Sequence, residues 1–191
     1  MTMQSAQRVV LASGNAGKLR ELHALLGGLG IELVSQRELG VSDAEETGLS
    51  FVENALLKAR HACAATGLPA IADDSGIEVD ALNGEPGIYS ARFAGVSGET
   101  REVADAANNA LLLDRLAGLK GSERSARFQC VIVYLRHAAD PNPLICQGTW
   151  EGQILESAAG ANGFGYDPLF YVPTHDCASA ALTPEIKNTL S

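Results

Sequence analysis

The sequence has few of the features that mark proteins that bind nucleic acids, cross membranes or bind zinc. Its 14 lysines and arginines stand against 23 aspartates and glutamates, which gives a formal net charge of −9. Proteins that bind nucleic acids need a basic face, so this balance argues against that class. No apolar run approaches the roughly 18 residues of a transmembrane helix, and the first residues lack the pattern of a secretory signal. We therefore expect a cytoplasmic protein with neither a nucleic acid nor a membrane as its partner.

Cysteine and histidine are also scarce, and neither occurs in a metal-binding pattern. The four cysteines include no C-x-x-C pair, and the four histidines include no H-x-x-x-H pair. This spacing argues against a zinc site. We expect each cysteine to be a small buried residue of a protein in a reducing compartment; the four are Cys63, Cys130, Cys146 and Cys177.

What the sequence does have is enough apolar material for a packed core. Hydrophobic residues make up 46% of the 191 residues, which suits one large domain or two small ones that close a cleft. Patterns typical of strands and helices alternate without a strict strand–helix–strand repeat. We therefore expect an α/β or α+β fold built on a long, mixed, twisted sheet.

Apolar spacing and end signals predict four helices. Leucines three and four residues apart predict the first, over Leu19–Leu29. Ser50 and Glu53 form the capping pattern that opens the second, over Phe51–Thr66. The third is predicted over Val103–Leu116, and Thr183 with Pro184 opens the last.

Short β-branched and apolar runs predict the strands. We expect one apolar stretch to be interrupted at Asp73–Gly76 and another around Gly152. With those interruptions, the predicted strands are Arg8–Ala12, Ile31–Val34, Ala70–Ala72, Ile77–Val79, Ala126–Leu135, Leu144–Trp150, Gln153–Leu155 and Leu169–Val172.

A turn after the first strand has the composition of an anion-binding loop. A helix start points backbone N–H groups and the positive end of its dipole at an anion, and Lys18 adds a full positive charge. The pattern differs from a P-loop, because Ala12 replaces the first glycine and Leu19 replaces the metal-binding serine or threonine. Phosphate binding and an ordinary strand–helix turn both stay open at this point. The candidate residues are Ser13, Gly14, Asn15, Ala16, Gly17 and Lys18.

Two acidic motifs are candidates for metal binding or acid–base chemistry. Asp73 and Asp74, followed by Ser75, interrupt an apolar stretch, and we expect this break to let both carboxylates serve one site. In an unbroken strand, neighbouring side chains would point to opposite faces. Glu45 and Glu46 lie in an acidic loop. They are candidates for a metal site only if the fold places them near Asp74, because clustered carboxylates need a cation. The alternative for both motifs is a solvated turn.

A glycine-rich segment in the last third of the chain, Gly163–Pro168, is a candidate for binding a planar base. Its glycines allow the backbone to approach a ligand closely. Phe164 offers a ring for stacking, and Asp167 offers a hydrogen-bond acceptor. The alternative is a tight hairpin whose aromatic residues belong to the core.

Together, these segments resemble the inosine triphosphate pyrophosphatase family, whose bacterial branch comprises the dITP/XTP pyrophosphatases. The resemblance covers essentially the whole chain. Any one matching segment is weakly specific, whereas six in the family's order are very specific. The six are Ala12–Lys18, Glu45–Gly48, Phe51–Ala55, Ile71–Gly76, Pro86–Arg92 and Gly163–Pro168.

The resemblance implies a single two-lobed domain over residues 1–191, with helices flanking a long mixed sheet and a substrate cleft between the lobes. It implies Mg²⁺-dependent hydrolysis of ITP, dITP or XTP to the monophosphate and pyrophosphate, which removes deaminated purine nucleotides from the precursor pool. It also implies a homodimer, with Pro86–Arg92 near the subunit contact.

The resemblance further assigns roles around the phosphates. Residues 13–18 bind the triphosphate, and Lys18 offsets its charge. Asp74 binds Mg²⁺ together with Glu45 or Glu46, and it takes the proton from the attacking water. Asp73 is either a second metal ligand or an orienting group, and both roles stay open.

Around the base, the resemblance implies that Phe164 and Asp167 face the purine and that Lys187 reaches the site from the last helix. The implied substrate contacts also include Ser75, Gly165 and Tyr166. One departure concerns a Ser-His-Arg segment that contributes base contacts in the family, and that would begin at Ser191, the last residue given. We expect a protein that ended there to discriminate bases less well.

Three other functions stay open. One is a pyrophosphatase for other modified nucleotides, pyrimidines included. Another is a catalytically silent nucleotide-binding module, against which the intact Lys18, Asp73 and Asp74 argue. The third is a P-loop phosphotransferase, which Ala12 and Leu19 disfavour.

Overall fold

The computed structural model describes residues 7–13, 22–23, 26–96 and 100–191. Within them, seven strands form one sheet in the order β2-β1-β3-β4-β5-β6-β7. β1 runs parallel to β2 and β3, whereas β6 runs antiparallel to β5 and β7. The predicted α/β fold with a mixed sheet is therefore confirmed. The strands are β1 (Gln7–Leu11), β2 (Ile31–Ser35), β3 (Ala70–Val79), β4 (Ser125–Leu135), β5 (Leu144–Ile154), β6 (Phe170–Val172) and β7 (Cys177–Ala178).

Three of the predicted helices are present, and local capping explains where they begin. They are α1 (Phe51–Thr66), α2 (Arg101–Arg115) and α3 (Pro184–Leu190). The hydroxyls of Ser50, Thr100 and Thr183 each accept a backbone N–H three residues on, which satisfies a donor that the helix itself leaves unpaired. Leu22, His23 and Leu26 have helical backbone. The rest of the predicted helix up to Leu26 lies outside the described residues.

The expected break at Asp73–Gly76 is wrong. β3 continues without interruption from Ala70 to Val79, and Asp73 and Asp74 are buried within it at 4% and 7% exposure. Polar residues suggested a turn, but the sheet supplies backbone partners along the strand, and these outweigh the weak local preference of aspartate.

The expected interruption at Gly152 is also wrong, because β5 is one strand over Leu144–Ile154. A Cβ atom at Gly152 would lie 2.5 Å from Phe170 Cζ and 2.5 Å from the Tyr171 carbonyl oxygen. Gly152 therefore marks a place where β6 closely approaches β5. Such a close approach is one of the reasons for a glycine inside a strand. The segment expected to be irregular, residues 83–98, includes a short 3₁₀ helix over Gly87–Arg92.

The chain divides into two compact units. The first comprises Met1–Asp74 and Val131–Gln147, and the second comprises Ser75–Cys130 and Gly148–Ser191. In the first unit, α1 packs Ala55, Ala59 and Ala62 against Val10, Ala70, Ala72, Val131 and Val133. A second cluster of the same unit contains Val9, Leu11, Leu22 and Ile71. The core of the second unit contains Ile77, Val79, Leu112, Leu116, Leu169, Phe170 and Val172.

The cysteines differ from the prediction that all four are buried. Cys63 is buried, but Cys130 and Cys177 are half-buried and Cys146 is exposed, because the first residues of β5 are open to solvent. Among the described residues, no helix combines the length and the apolar composition needed to cross a membrane.

Candidate active site

Two polar residues of α1, Asn54 and Lys58, lie on the side of the helix that faces the sheet. They are four residues apart, so they share one helix face. The same region of α1 contributes Ala55 and Ala59, both fully buried, to the core. Asn54 is itself fully buried. Buried polar side chains need partners, and both find them among the acidic residues that the sequence analysis singled out.

Lys58 joins two of those acidic residues. Its Nζ lies 2.7 Å from Asp74 Oδ1 and 3.1 Å from Glu46 Oε1. Burial by itself lowers the pKa of Lys58, but the negative charges of Asp74 and Glu46 outweigh it and leave that pKa raised. The ammonium is therefore charged at neutral pH, and it pairs with both carboxylates as a cation.

Asn54 ties the acidic loop to the same aspartate. Its Oδ1 accepts a hydrogen bond from the Gly48 N–H at 2.8 Å, and its Nδ2 donates to Asp74 Oδ2 at 3.4 Å. A Cβ atom at Gly48 would lie 2.7 Å from Asn54 Oδ1 and 2.6 Å from Glu53 Cβ, so only glycine permits this approach. The end of the loop that carries Glu46 is thus fixed to α1.

Asp73 and Asp74 lie on opposite faces of β3. Asp74 shares its face with Ala70 and Ala72, which pack against α1, whereas Asp73 shares its face with Ile71, in the other cluster. The expectation that a break would turn both carboxylates towards one site is therefore corrected. The continuous strand presents Asp74 to Lys58 and keeps Asp73 on the other side.

Ser13 is the one residue of the predicted phosphate loop that the structure describes. It lies just beyond β1 and is buried. β1 runs parallel to β3 with Leu11 opposite Ile71, and the Ala12 N–H donates to the Ile71 carbonyl at 2.8 Å. The predicted contacts of Gly14, Asn15, Ala16, Gly17 and Lys18 lie outside the described residues.

The arrangement of carboxylates permits a test of the predicted metal site. Among the residues that the structure describes, no three histidines, cysteines, aspartates or glutamates are grouped to hold a metal ion. The predicted set of Glu45, Glu46, Asp73 and Asp74 is thus not preformed, and Glu45 is exposed. Asp74 and Glu46 nevertheless direct two oxygens at one cation, the Lys58 ammonium. Mg²⁺ is typically bound by one or two carboxylates plus substrate phosphates, so this pair fits it.

In the second unit, Asp167 organises the glycine-rich segment. This carboxylate is 2% exposed, and it accepts hydrogen bonds from the Phe164 N–H at 2.9 Å, the Ser179 hydroxyl at 3.0 Å and Lys187 Nζ at 2.7 Å. A Cβ atom at Gly163, where φ is +77°, would lie 2.0 Å from Asp167 Oδ2. Glycine is therefore required at position 163, because a side chain would collide with Asp167 and because other residues rarely adopt a positive φ.

Phe164 lies half-buried between charged groups. Lys187 Nζ is 4.8 Å from the centroid of its ring, and the Arg101 guanidinium carbon is 5.9 Å away. Both distances fall within the range of cation–π contacts. Phe164 and Lys187 are thus neighbours in the fold, and the contact of either with a base stays a prediction.

Tyr166 points into the core of the second unit. Its hydroxyl donates to the Ser90 carbonyl at 2.8 Å, and the residue is 5% exposed. Burial raises the pKa of Tyr166, and the negative charge of Asp105 adds to the rise. Its predicted substrate contact is untested, as is that of Ser75, which is half-buried in β3.

Comparisons with known proteins give the family. The sequence profile of the Ham1 family matches residues 9–191. The chain belongs to the Ham1 family. It is 58% identical over 184 residues to the dITP/XTP pyrophosphatase of Thioalkalivibrio sulfidiphilus (strain HL-EbGR7), a match that covers 96% of this chain and 91% of that protein.

Two further relatives agree with this assignment. The dITP/XTP pyrophosphatase of Escherichia coli (strain K12) is 54% identical, with 97% of this chain and 91% of that protein covered. The solved structure of a HAM1 protein from Coxiella burnetii aligns with a TM-score of 0.87 and 49% identity, over 97% of this chain and 91% of that one. The family resemblance drawn from the sequence is therefore confirmed.

Sequence reasoning missed Asn54 and Lys58. Asn54 lies within the Phe51–Ala55 segment that carried part of the resemblance, but it received no role there, and Lys58 lies three residues after that segment. A signal was available, because polar residues four apart fall on the alanine-rich face of α1. Polar side chains on a face that is otherwise apolar have to meet partners in the fold.

Proposed function

We propose that this member of the Ham1 family hydrolyses non-standard purine nucleoside triphosphates, namely dITP, ITP and XTP, to the monophosphate and pyrophosphate. Its role would be to clear deaminated purines from the nucleotide pool. The observation that carries the proposal is the cluster of Glu46, Lys58 and Asp74, in a chain whose relatives at 54% and 58% identity are dITP/XTP pyrophosphatases.

Asp74 is the proposed general base. The Lys58 ammonium lies 2.7 Å from one oxygen of its carboxylate, and the Asn54 amide donates to the other oxygen at 3.4 Å, so both oxygens are oriented. An ionised, oriented carboxylate can take the proton from a water that attacks the α-phosphorus. Lys58 carries a charge that also opposes the negative charge developing on the phosphates.

The triphosphate is proposed to bind at residues 13–18, where Lys18 adds a positive charge. Ser13, which is buried two residues after the end of β1, begins this segment. We propose that Mg²⁺ is held by Asp74 and Glu46, with Glu45 as a further candidate. When bound, the ion would offset the charge of the phosphates and orient them.

The purine base is proposed to meet Phe164, with Asp167 and Lys187 fixing that side chain in place. Lys187 also supplies a donor that suits the 6-oxo group of hypoxanthine and xanthine. An adenine amino group at that position would face the ammonium donor to donor, and this mismatch costs binding energy. A homodimer is proposed on the resemblance alone, and a cytoplasmic location is proposed on the sequence patterns described above.

A product analysis tests the proposal. The protein is incubated with dITP, XTP, ITP, dGTP, dATP and dCTP in ¹⁸O-labelled water, with and without Mg²⁺, and the products are separated by ion exchange. We expect monophosphate and pyrophosphate from the first three, with the ¹⁸O in the monophosphate, because water attacks the α-phosphorus. Release of orthophosphate and diphosphate, or no preference for the deaminated purines, would contradict the proposal.

A further inference from the structure

Both polar backbone groups of Gly165 are held by side chains of α2. Asp105 Oδ2 accepts a hydrogen bond from the Gly165 N–H at 2.9 Å, and Asn109 Nδ2 donates to the Gly165 carbonyl at 2.9 Å. The two residues are four apart, so they lie on one face of the helix. Gly165 has a φ of +59°, the left-handed conformation that favours glycine.

The orientation of the Asn109 amide shows that this contact is directional. Its Oδ1 is buried and accepts no hydrogen bond from the residues that the structure describes. Turning the amide over would place that oxygen against the Gly165 carbonyl, where two acceptors repel. The contact with Gly165 therefore forms only when Asn109 presents its amide N–H, and not its oxygen, to that carbonyl.

The same face of α2 reaches the neighbouring aromatic ring. Arg101, one helical turn before Asp105, pairs with Asp105 through Nε and Oδ1 at 3.4 Å, and its guanidinium lies 5.9 Å from the centre of the Phe164 ring. Asp167, from the other end of the segment, holds the Phe164 N–H. Phe164 is therefore fixed on both sides along the chain, by Asp167 and by α2 through Gly165.

We propose that Asp105 and Asn109 are positioning residues for base recognition, which hold the Gly163–Asp167 segment so that Phe164 keeps the orientation needed to bind a purine. The inference rests on the proposed function. It goes beyond that function by assigning roles to two residues of α2 that lie outside the six segments of the family resemblance.

The test separates binding of the base from binding of the phosphates. Asp105→Ala and Asn109→Ala are compared with the wild type for the KM and kcat of dITP hydrolysis. Each is also compared for the inhibition constant of inorganic tripolyphosphate, a probe without a base. We expect KM for dITP to rise about tenfold, since a lost hydrogen bond changes binding by about this factor. We expect kcat to change less than about threefold and the tripolyphosphate constant to stay unchanged.

Three variants act as controls. Asp114→Ala makes the same change at an exposed position of α2 and should behave as the wild type. Asp105→Asn keeps an oxygen for the Gly165 N–H and should restore KM to within about threefold of the wild type. Asn109→Asp keeps the size of the side chain, so it preserves packing if an alanine variant unfolds, and it should raise KM because it faces a carbonyl with a carboxylate.

The outcomes separate the positioning role of Asp105 and Asn109 from the proposed function. Parallel changes in KM for dITP and in the tripolyphosphate constant would show general damage to the fold and overturn the positioning role. Unchanged KM in both alanine variants, with a wild type that releases pyrophosphate from dITP, would overturn the positioning role and leave the proposed function standing. A wild type that releases no pyrophosphate from dITP would overturn both.

Discussion

Each of the two units contains a buried aspartate beside a lysine, but the surroundings of the two pairs differ. In the first unit, Lys58 lies within 3.1 Å of two carboxylates, those of Asp74 and Glu46. In the second unit, Asp167 accepts hydrogen bonds from three donors: Lys187, the Ser179 hydroxyl and the Phe164 N–H. The first pair belongs to a group with an excess of negative charge, and the second belongs to a carboxylate that is well supplied with donors.

This difference indicates a chemical role for the first aspartate and a structural role for the second. Two carboxylates that share one ammonium carry more negative charge than it balances, which attracts a further cation and suits a site for metal-assisted attack on phosphate. A carboxylate supplied with three donors has little capacity for chemistry, but it holds backbone and side chains rigidly. We therefore expect changes in the first unit to act on kcat and changes in the second to act on KM.

The largest effect is expected for Asp74→Asn. An amide keeps the shape of the side chain but cannot take a proton, so kcat should fall about a thousandfold while KM changes less than about threefold. Steady-state release of pyrophosphate from dITP measures both constants. Asp114→Asn makes the same change in charge at an exposed position and should leave both unaltered. An Asp74→Asn enzyme with more than a tenth of the wild-type kcat would remove the aspartate from the role of general base.

Lys58→Met should have the next largest effect. It leaves Glu46 and Asp74 near one another without the ammonium, so we expect the free energy of unfolding to fall by about 3 kcal/mol and kcat/KM to fall about a hundredfold. Adding Asp74→Asn should restore part of the lost stability, because one of the two uncompensated charges is removed. Chemical denaturation of both single variants and the double variant measures this coupling. Strictly additive losses would show that Lys58 does not balance Asp74.

Asp167→Asn is expected to produce the opposite kinetic pattern. It removes the negative charge beside Lys187 and weakens the hold on the Phe164 N–H, so KM for dITP should rise about tenfold and kcat should fall less than about threefold. Glu185→Gln, an exposed change of the same kind in α3, is the matched control. If kcat fell as far as in Asp74→Asn, the division of roles between the two units would be wrong.

The smallest effect on activity is expected for Gly152→Ala, which tests packing in the second unit without changing charge. The added Cβ would lie 2.5 Å from Phe170 Cζ, so the free energy of unfolding should fall by about 2 kcal/mol. Gly148→Ala, on the same strand with nothing within 4 Å of its Cβ, should change it by less than about 0.5 kcal/mol. Thermal unfolding compares the two. Both variants should keep the kcat and KM of the wild type, and equal stability would contradict the close approach of β6.

Local signals predicted the helices well because helix ends depend on nearby residues. Ser50 at the start and Gly67 at the end fix α1 to Phe51–Thr66, as its sequence pattern indicated. Strands were harder, because their partners are distant in the chain. Asp73 and Gly152 look like interruptions locally, but each lies inside a continuous strand whose neighbours come from elsewhere in the sequence.

The candidate site shows the same contrast between local signals and partners that are distant in the chain. By itself, the sequence determined the family, the acidic and glycine-rich motifs, and the kinds of chemistry those residues can do, since residue type and spacing are local properties. Only the tertiary structure decided that Asp73 and Asp74 face opposite ways, that Lys58 joins Asp74 to Glu46, and that α2 holds Gly165. Those contacts connect residues from 12 to 60 positions apart, and the packing of strands and helices brings them together.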